Sequence, residues 1–190
     1  MDLQYNIANV DELRRRLDPD KVDKALRWAI NAESKKAATA ISKDIRSVYT
    51  IKAGDIKQRL KITRYKTHGR TLLYTGGRLP LSQFKPKTKR VKTKAKSRAG
   101  NTYKTTRHGV SLRIRKDKGR KLAPGAFLAK NTVFRRKDMS DTKSDPIPQY
   151  GPSIPGMVAH PETINRAQAH VRENLPVQFN DRLEYLLGQR

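Results

Sequence analysis

The sequence predicts an α+β protein in which a long N-terminal helix packs on a central antiparallel β-sheet and a C-terminal helix follows. Two patterns predict this class. Apolar residues recur at helical spacing over residues 19–49 and again after Pro161, and the chain between them contains short runs with strand-like alternation. A long basic loop is expected between two strands of the sheet.

The long helix is predicted from its start signal and its apolar stripe. Asp18 is suited to cap the helix, and Pro19 takes the first helical position, where its missing N–H costs little. The stripe comprises Val22, Leu26, Ala29, Ile30, Ala37, Ile41, Ile45 and Val48. Trp28, beside the stripe, is interpreted as a core or interface anchor. A second, short helix is predicted within AGDIKQRL, residues 53–60.

Short β-branched or alternating runs predict a sheet of four or five antiparallel strands. These runs are KITRY (61–65), RTLLYT (70–75), VSLRIR (110–115), AFLA (126–129) and TVFRR (132–136). Prolines at 146, 148, 152 and 155 then predict an extended, turn-rich segment without helix. In the C-terminal helix, Pro176 is expected to introduce a kink or a division, with Asn174 suited to cap the second piece.

Length and composition limit the class of protein. With 190 residues, we expect an N-terminal extension of residues 1–17 followed by a single domain over residues 18–187. The chain has no cysteine, so a disulfide framework and a thiolate metal site are excluded. No apolar run is long enough to predict a membrane span, and the first residues do not resemble a secretory signal.

The positive charge of the chain lies in its middle. Of the 43 Lys and Arg residues, 27 fall within residues 56–137, where Asp117 is the one acid, while cations and acids balance in the flanks. Such a segment repels itself, so the expected partners are polyanions: nucleic acid, an acidic protein surface or anionic lipid. The alternative is a basic surface that serves only solubility.

The most basic stretch, residues 85–108, is called the basic arm and is expected to be a flexible excursion from the sheet. Its 24 residues include no acid and too few apolar side chains to form a core. Its ten cations are Lys85, Lys87, Lys89, Arg90, Lys92, Lys94, Lys96, Arg98, Lys104 and Arg107. Since Tyr103 is the one aromatic residue of the arm, we expect any nucleic-acid binding to be directed at phosphates and blind to sequence.

The residue patterns do not indicate an enzyme, a cofactor or a metal site. The histidines are scattered, no phosphate-binding glycine-rich loop occurs, and Ser153 lies among prolines without an identifiable base. A nuclease would need clustered carboxylates, whereas the basic middle offers Asp117 alone. We therefore expect a protein without catalytic activity.

Several stretches share their order and spacing with a known family. They are ALRWAINAESKKAATAISKDI (25–45), IKAGDIKQRLKI (51–62), LAPGAFLA (122–129), VFRR (133–136) and YGPSIPGM (150–157). Together they resemble the minor tail protein Z family of long-tailed phages and prophages, over about residues 20 to 187. Gly156 departs from the glutamine that relatives often carry before the methionine, and the basic arm is richer in lysine than the family pattern.

The resemblance implies a structural, non-enzymatic protein that completes the head-proximal end of the tail tube. It also implies a role in head–tail joining and in placement of the DNA end. The expected partners are further copies in a ring, which is commonly six-fold in related proteins, tail tube or tail terminator proteins, and phage DNA through backbone contacts, with no membrane. The protein would be made in the host cytoplasm and reside in the virion.

The family motifs are expected to serve structure or subunit contact. They comprise Pro124, Gly125, Phe127, Phe134, Arg135, Arg136, Tyr150, Gly151, Pro152, Ser153, Ile154, Pro155 and Met157. Phe127, Phe134 and Tyr150 are expected to pack the long helix onto the sheet. The main alternative function is a free-standing nucleic-acid-binding protein without sequence preference, and a phage-borne nuclease is a further one.

Overall fold

The computed structural model describes residues 10–65, 69–96, 99–138, 141 and 143–188. The α+β class is confirmed, with helices at both ends of the chain and antiparallel strands between them. The chain divides into two compact units. We call Met1–Ile45, Ala53–Gly76 and Ile154–Arg190 the helix-rich unit, and Arg46–Lys52 with Gly77–Ser153 the strand unit. Compact units need not fold independently, so a single domain over residues 18–187 stays a prediction.

The helix-rich unit is built mainly from two long helices. Its elements are α1 (Val10–Arg16), α2 (Pro19–Val48, whose last residues belong to the strand unit), α3 (Ala53–Gln58), β1 (Leu60–Tyr65), β2 (Gly69–Tyr74), α4 (Ile154–Val158) and α5 (Pro161–Gly188). The start of α2 is as predicted: the Asp18 carboxylate accepts a hydrogen bond of 3.0 Å from the backbone N–H of Asp20. Within the predicted N-terminal extension, α1 is fastened to α2 by Arg14, which donates to Asp23 at 2.7 Å.

The predicted apolar stripe of α2 is confirmed as a buried face. Its members are buried, except for Ile30 and Val48, which are half-buried. At its N-terminal end the stripe packs against α1 and α5. This core comprises Val10, Val22, Ala25, Leu26, Ala29, Leu175, Phe179, Leu183 and Leu186. Trp28 lies outside this core with 37% of its surface exposed, 6.5 Å from the Tyr185 ring centroid, so it is not a core anchor.

Helix α5 is continuous through Pro176, so the predicted division is wrong. A proline removes its own N–H and crowds the carbonyl four residues earlier, but it leaves the other bonds of the helix intact. Leu175 and Phe179, on either side of the proline, are both buried in the core and hold the two halves on one face. Asn174 does not cap a second piece, because its side-chain amide donates to the His170 carbonyl at 2.7 Å within the helix.

The strand unit contains eight strands among its described residues. They are β3 (Arg78–Pro80), β4 (Lys87–Lys96), β5 (Thr102–Leu112), β6 (Lys121–Ala123), β7 (Ala126–Ala129), β8 (Thr132–Arg136), β9 (Pro146–Pro148) and β10 (Tyr150–Ser153). They pair antiparallel as β4–β5–β6, β7–β8–β9 and β3–β10, while β1–β2 pair in the other unit. The prediction of one sheet of four or five strands is therefore wrong. Prolines in β3, β9 and β10 lack the N–H that would extend a ladder to another strand.

A short helix, α4, occupies the end of the proline-rich segment, where the sequence predicted none. It begins at Ile154 and includes Pro155 in its first turn. Proline is tolerated there because the first backbone N–H groups of a helix have no intrahelical partner. Ile154 and Met157 are buried by this turn. The prolines therefore keep residues 146–153 extended but do not exclude a helix after them.

The α2–α5 core predicts a strong effect of one truncation. Phe179 is 1% exposed, so Phe179→Ala should lower the free energy of unfolding by about 3–5 kcal/mol through lost burial and a residual cavity. Val177→Ala is the matched control on the same helix, since Val177 is 55% exposed and its truncation should cost less than about 0.5 kcal/mol. Urea unfolding followed by helical circular dichroism measures both, and equal losses would contradict this assignment of the core.

Candidate nucleic-acid interface

The basic arm forms a β-hairpin. Strands β4 and β5 pair from Lys87↔Ser111 to Lys96↔Thr102, and we call these two strands the basic hairpin. The expectation of an arm without regular structure is wrong. Lysine alternates here with threonine, valine and alanine, and the backbone ladder needs no apolar core to form. The expected flexibility stays a prediction, and Arg98 lies outside the described residues.

Strand alternation gives the basic hairpin two different faces. Because directly paired residues share a face, the cross-strand pairs Arg90↔His108 and Lys94↔Lys104 lie on the same side as Lys92. All five side chains are exposed. We call this set the cationic face. Lys96 ends β4 opposite Thr102.

The opposite face of the hairpin is partly apolar near its base. Gly109 is flanked there by Val91 and Leu122: a Cβ on Gly109 would lie 3.1 Å from a methyl of each. Lys87, Lys89 and Arg107 belong to this face and are exposed. A side chain at position 109 would therefore have to displace the small apolar cluster, whereas the exposed cations lie on both faces of the hairpin.

Like charges oppose each other on the cationic face. The pair Lys94↔Lys104 places two ammonium groups on neighbouring strands at the same register. Like charges directly opposite destabilise a strand pair. No acid in residues 85–108 can offset this repulsion. A bound polyanion would remove the cost, so the hairpin is suited to contact phosphates or carboxylates of a partner.

The base of the hairpin is held by hydrogen bonds to backbone carbonyls. Arg120 donates to the carbonyls of Lys85 at 2.6 Å and Ser111 at 2.7 Å, which ties β4, β5 and the segment before β6 together. The Ser111 hydroxyl donates to the Lys87 carbonyl at 3.1 Å. Val110 and Leu112 are buried at the same end. The exposed part of the hairpin thus projects from an ordered base.

The single acid of the basic middle is paired locally. Asp117 accepts two hydrogen bonds of 3.0 Å from the Arg115 guanidinium, which in turn lies 5.7 Å from the Tyr49 ring. The side-chain hydrogen bond from Arg115 holds the pKa of the Asp117 carboxyl below its usual value. This carboxylate therefore neutralises Arg115 and not the lysines of the cationic face.

The first group of motif residues forms part of sheet β7–β8–β9. Pro124 and Gly125 occupy the turn between β6 and β7, and Phe127 pairs with Phe134 across the strands with ring centroids 6.0 Å apart. Arg136 lies 5.4 Å from the Phe127 ring and donates to the Ser144 carbonyl at 2.7 Å. Arg135 is exposed. Phe127, Phe134 and Arg136 thus contact one another within the strand unit, and a role of the whole group in structure or subunit contact stays a prediction.

The second group, residues 150–157, crosses from the strand unit into the helix-rich unit. Tyr150 is 53% exposed, which contradicts the expectation that it packs the long helix onto the sheet. Gly151 lies against buried Phe84, where a Cβ would approach to 2.6 Å, so a larger residue would displace that ring. Pro152 and Ser153 are half-buried in β10, and Pro155 is half-buried in α4.

One polar cluster was missed by the sequence reasoning. Glu33 is 2% exposed on α2, and its carboxylate lies 3.2 Å from His170 of α5. The signal was present, because Glu33 falls between Ala29 and Ala37 at the four-residue spacing of the apolar stripe. An acid at such a position is buried with the stripe. Of the four histidines, His68 lies outside the described residues.

In the part of the chain that the structure describes, no three His, Asp or Glu side chains are grouped so that they could hold a metal ion. None of its helices is long and apolar enough to span a membrane.

The fold and the hairpin define a class: a strongly basic α+β protein that displays a cationic face from an ordered base. The family model described as Prophage minor tail protein Z (GPZ) matches residues 4–188. The chain belongs to this family, as its motifs indicated, and is a structural protein of the phage tail that assembles with other tail components in the virion. No curated protein and no solved structure matches the chain.

The Arg115–Asp117 pair generates a prediction about titration. In Arg115→Gln the pKa of Asp117 should rise toward the ordinary aspartate value, because the donor that stabilises the carboxylate is gone. A depressed carboxyl pKa favours the folded state above the unfolded value and loses that contribution as pH falls through the folded value. The variant should therefore lose stability less steeply on acidification.

A carboxyl-carbon NMR titration of Asp117 in both proteins provides the measurement. Arg113→Gln is the matched control, because it removes an equal charge two residues away while leaving the Arg115 hydrogen bonds in place. An unchanged Asp117 titration in Arg115→Gln would show that this ion pair does not form in solution.

Proposed function

We propose that this protein completes the head-proximal end of the tail tube, prepares the tail for joining to the head, and helps to place the DNA end. Membership in the minor tail protein Z family supports the tail role. The cationic face is the observation that carries the finer proposal, since a surface of this charge favours a polyanion partner. DNA in the tail channel would supply that partner.

A ring of copies, for example six, would make weak phosphate contacts effective. Each copy contributes ten cations within residues 85–108 and no acid. Contacts repeated around a channel raise the effective concentration of the second and later contacts without any new interaction. Because the contacts are directed at phosphates, the ring would hold any DNA sequence equally.

The second candidate function is a free-standing nucleic-acid-binding protein without sequence preference. The same cationic face supports it, because phosphate binding by a hairpin needs no tail. The two candidate functions differ in their prediction for the phage particle. A free-standing protein would bind DNA in solution and be missing from the assembled tail.

Substitution on the cationic face tests the DNA contact. The triple change Lys92→Gln, Lys94→Gln and Lys104→Gln should weaken binding to duplex DNA and make the plot of log affinity against log salt shallower by roughly three. All three side chains are exposed, so the fold should be retained. Fluorescence anisotropy with a labelled random-sequence duplex over a salt series gives both quantities.

The control places the same charge change on α2. Lys35→Gln, Lys36→Gln and Lys43→Gln alter three exposed lysines of a long helix, far along the chain from the hairpin. This control should keep most of the salt slope. If both triple variants lose the slope equally, net charge and not the cationic face determines binding.

Electron cryo-microscopy of complete phage particles tests the position in the tail. We expect a closed ring at the top of the tail tube whose subunit density fits this chain, with the basic hairpins directed at the channel. Hairpins directed outward would retain the tail-completion role and make the hairpin a protein-binding element. Infectious particles without such a ring would refute the proposal and favour the free-standing protein.

A further inference from the structure

The helix-rich unit contains a cavity that the tail role does not explain. It has a volume of about 310 Å³ and lies between α2, β2, α4 and α5. Apolar side chains such as Ile41, Leu72 and Val158 provide most of its lining. A cavity of this size accommodates a small organic ligand or one long side chain.

A buried carboxylate lines this apolar cavity. Glu33 is 2% exposed, and within the described residues neither of its oxygens has a hydrogen-bond donor. A carboxylate removed from water without donors is strongly unfavourable. An apolar residue would fill a core position more favourably, so an acid at this position points to a partner that enters the cavity.

The neighbouring cations of the unit do not satisfy Glu33. His170 Nε2 lies 3.2 Å from the Glu33 Oε1 atom, but the angle between the two groups does not form a hydrogen bond. Arg70 also lines the cavity, where its Nε donates to Asn31 at 2.7 Å. His170 is therefore near the carboxylate without donating a hydrogen bond to it, and Arg70 donates to Asn31 and to the Gly69 carbonyl.

A second polar group in the same lining has no partner. The Tyr74 hydroxyl is buried and unbonded among the described residues. Burial raises the pKa of Tyr74 to about 12, so the phenol stays neutral near pH 8 and retains an oxygen that accepts a hydrogen bond. The cavity thus offers two acceptor groups, the Glu33 carboxylate and the Tyr74 hydroxyl, in a lining that is mostly apolar.

We propose that this cavity binds a primary ammonium group carried on an apolar stem. An ammonium has three donors and a positive charge, which suit the Glu33 carboxylate and the Tyr74 oxygen. The stem takes the place of water against the apolar lining. A neutral apolar ligand would leave the carboxylate unpaired, and an anionic ligand would be repelled by it.

Three probes of equal length test the chemistry in the full-length protein: hexylammonium, 1-hexanol and hexanoate. By isothermal titration calorimetry at pH 8, hexylammonium should bind with a dissociation constant of the order of 1 mM or tighter. The other two should bind at least about tenfold more weakly. The net charge of +26 favours hexanoate, so this order would reflect the cavity and not the overall charge.

Variants locate the binding to the cavity. Glu33→Gln should weaken hexylammonium binding at least about tenfold, while Glu162→Gln, an equal charge change at an exposed position of α5, should leave it within about twofold. Equal losses in the two variants, equal binding of 1-hexanol, or no binding of hexylammonium to the wild-type protein would each overturn the proposal. The comparison of the three probes on the wild-type protein tests the proposal even if Glu33→Gln does not fold.

Sedimentation equilibrium identifies the source of the ammonium group. If hexylammonium and Glu33→Gln both reduce self-association, the natural occupant is a lysine side chain of a second copy. If the protein binds hexylammonium but its association state does not change, the occupant is a free small amine. Both outcomes retain the ammonium chemistry, and neither depends on the DNA contact of the basic hairpin.

Discussion

A shortage of counter-charge constrains the middle of this chain. Its 27 cations share one acid over residues 56–137, so ion pairs cannot organise this part of the protein. Backbone carbonyls accept the hydrogen bonds of the arginines instead. Arg120 donates to the carbonyls of Lys85 and Ser111, and Arg136 donates to the carbonyl of Ser144. Carbonyl acceptors are available wherever a strand ends or turns, and they leave the remaining lysines exposed. The strand unit is therefore both ordered and strongly positive.

The helix-rich unit is less one-sided in charge, with 13 acids for its 19 Lys and Arg residues. The Arg14–Asp23 bond fastens α1 to α2, and Asp44 accepts from Thr163 at 2.7 Å at the start of α5. Apolar burial between α2 and α5 supplies most of the stability, because this term scales with the area removed from water. Glu33 is the one buried acid among the described residues, and apolar burial does not account for its position.

The sequence predicted the helices better than the strands. The α2 stripe, the Asp18 cap and the short α3 followed from spacing and local chemistry, which depend on residues close in the chain. The division of the strands into small sheets could not be predicted, because strand preference depends on tertiary context, and because the pair β3–β10 joins segments that are distant in sequence. The basic hairpin was not predicted, because backbone hydrogen bonds hold its two strands together, whereas the prediction rested on apolar burial.

By itself, the sequence determined the α+β class, the family, the two long helices and the concentration of positive charge. Tertiary structure decided which lysines share the cationic face, since the cross-strand register sets which residues stand opposite each other. It also decided that Glu33 and Tyr74 line one cavity and that Tyr150 is exposed. Composition and periodicity report what one segment prefers, while a site depends on side chains that separate segments bring together, and only the packed fold sets those distances.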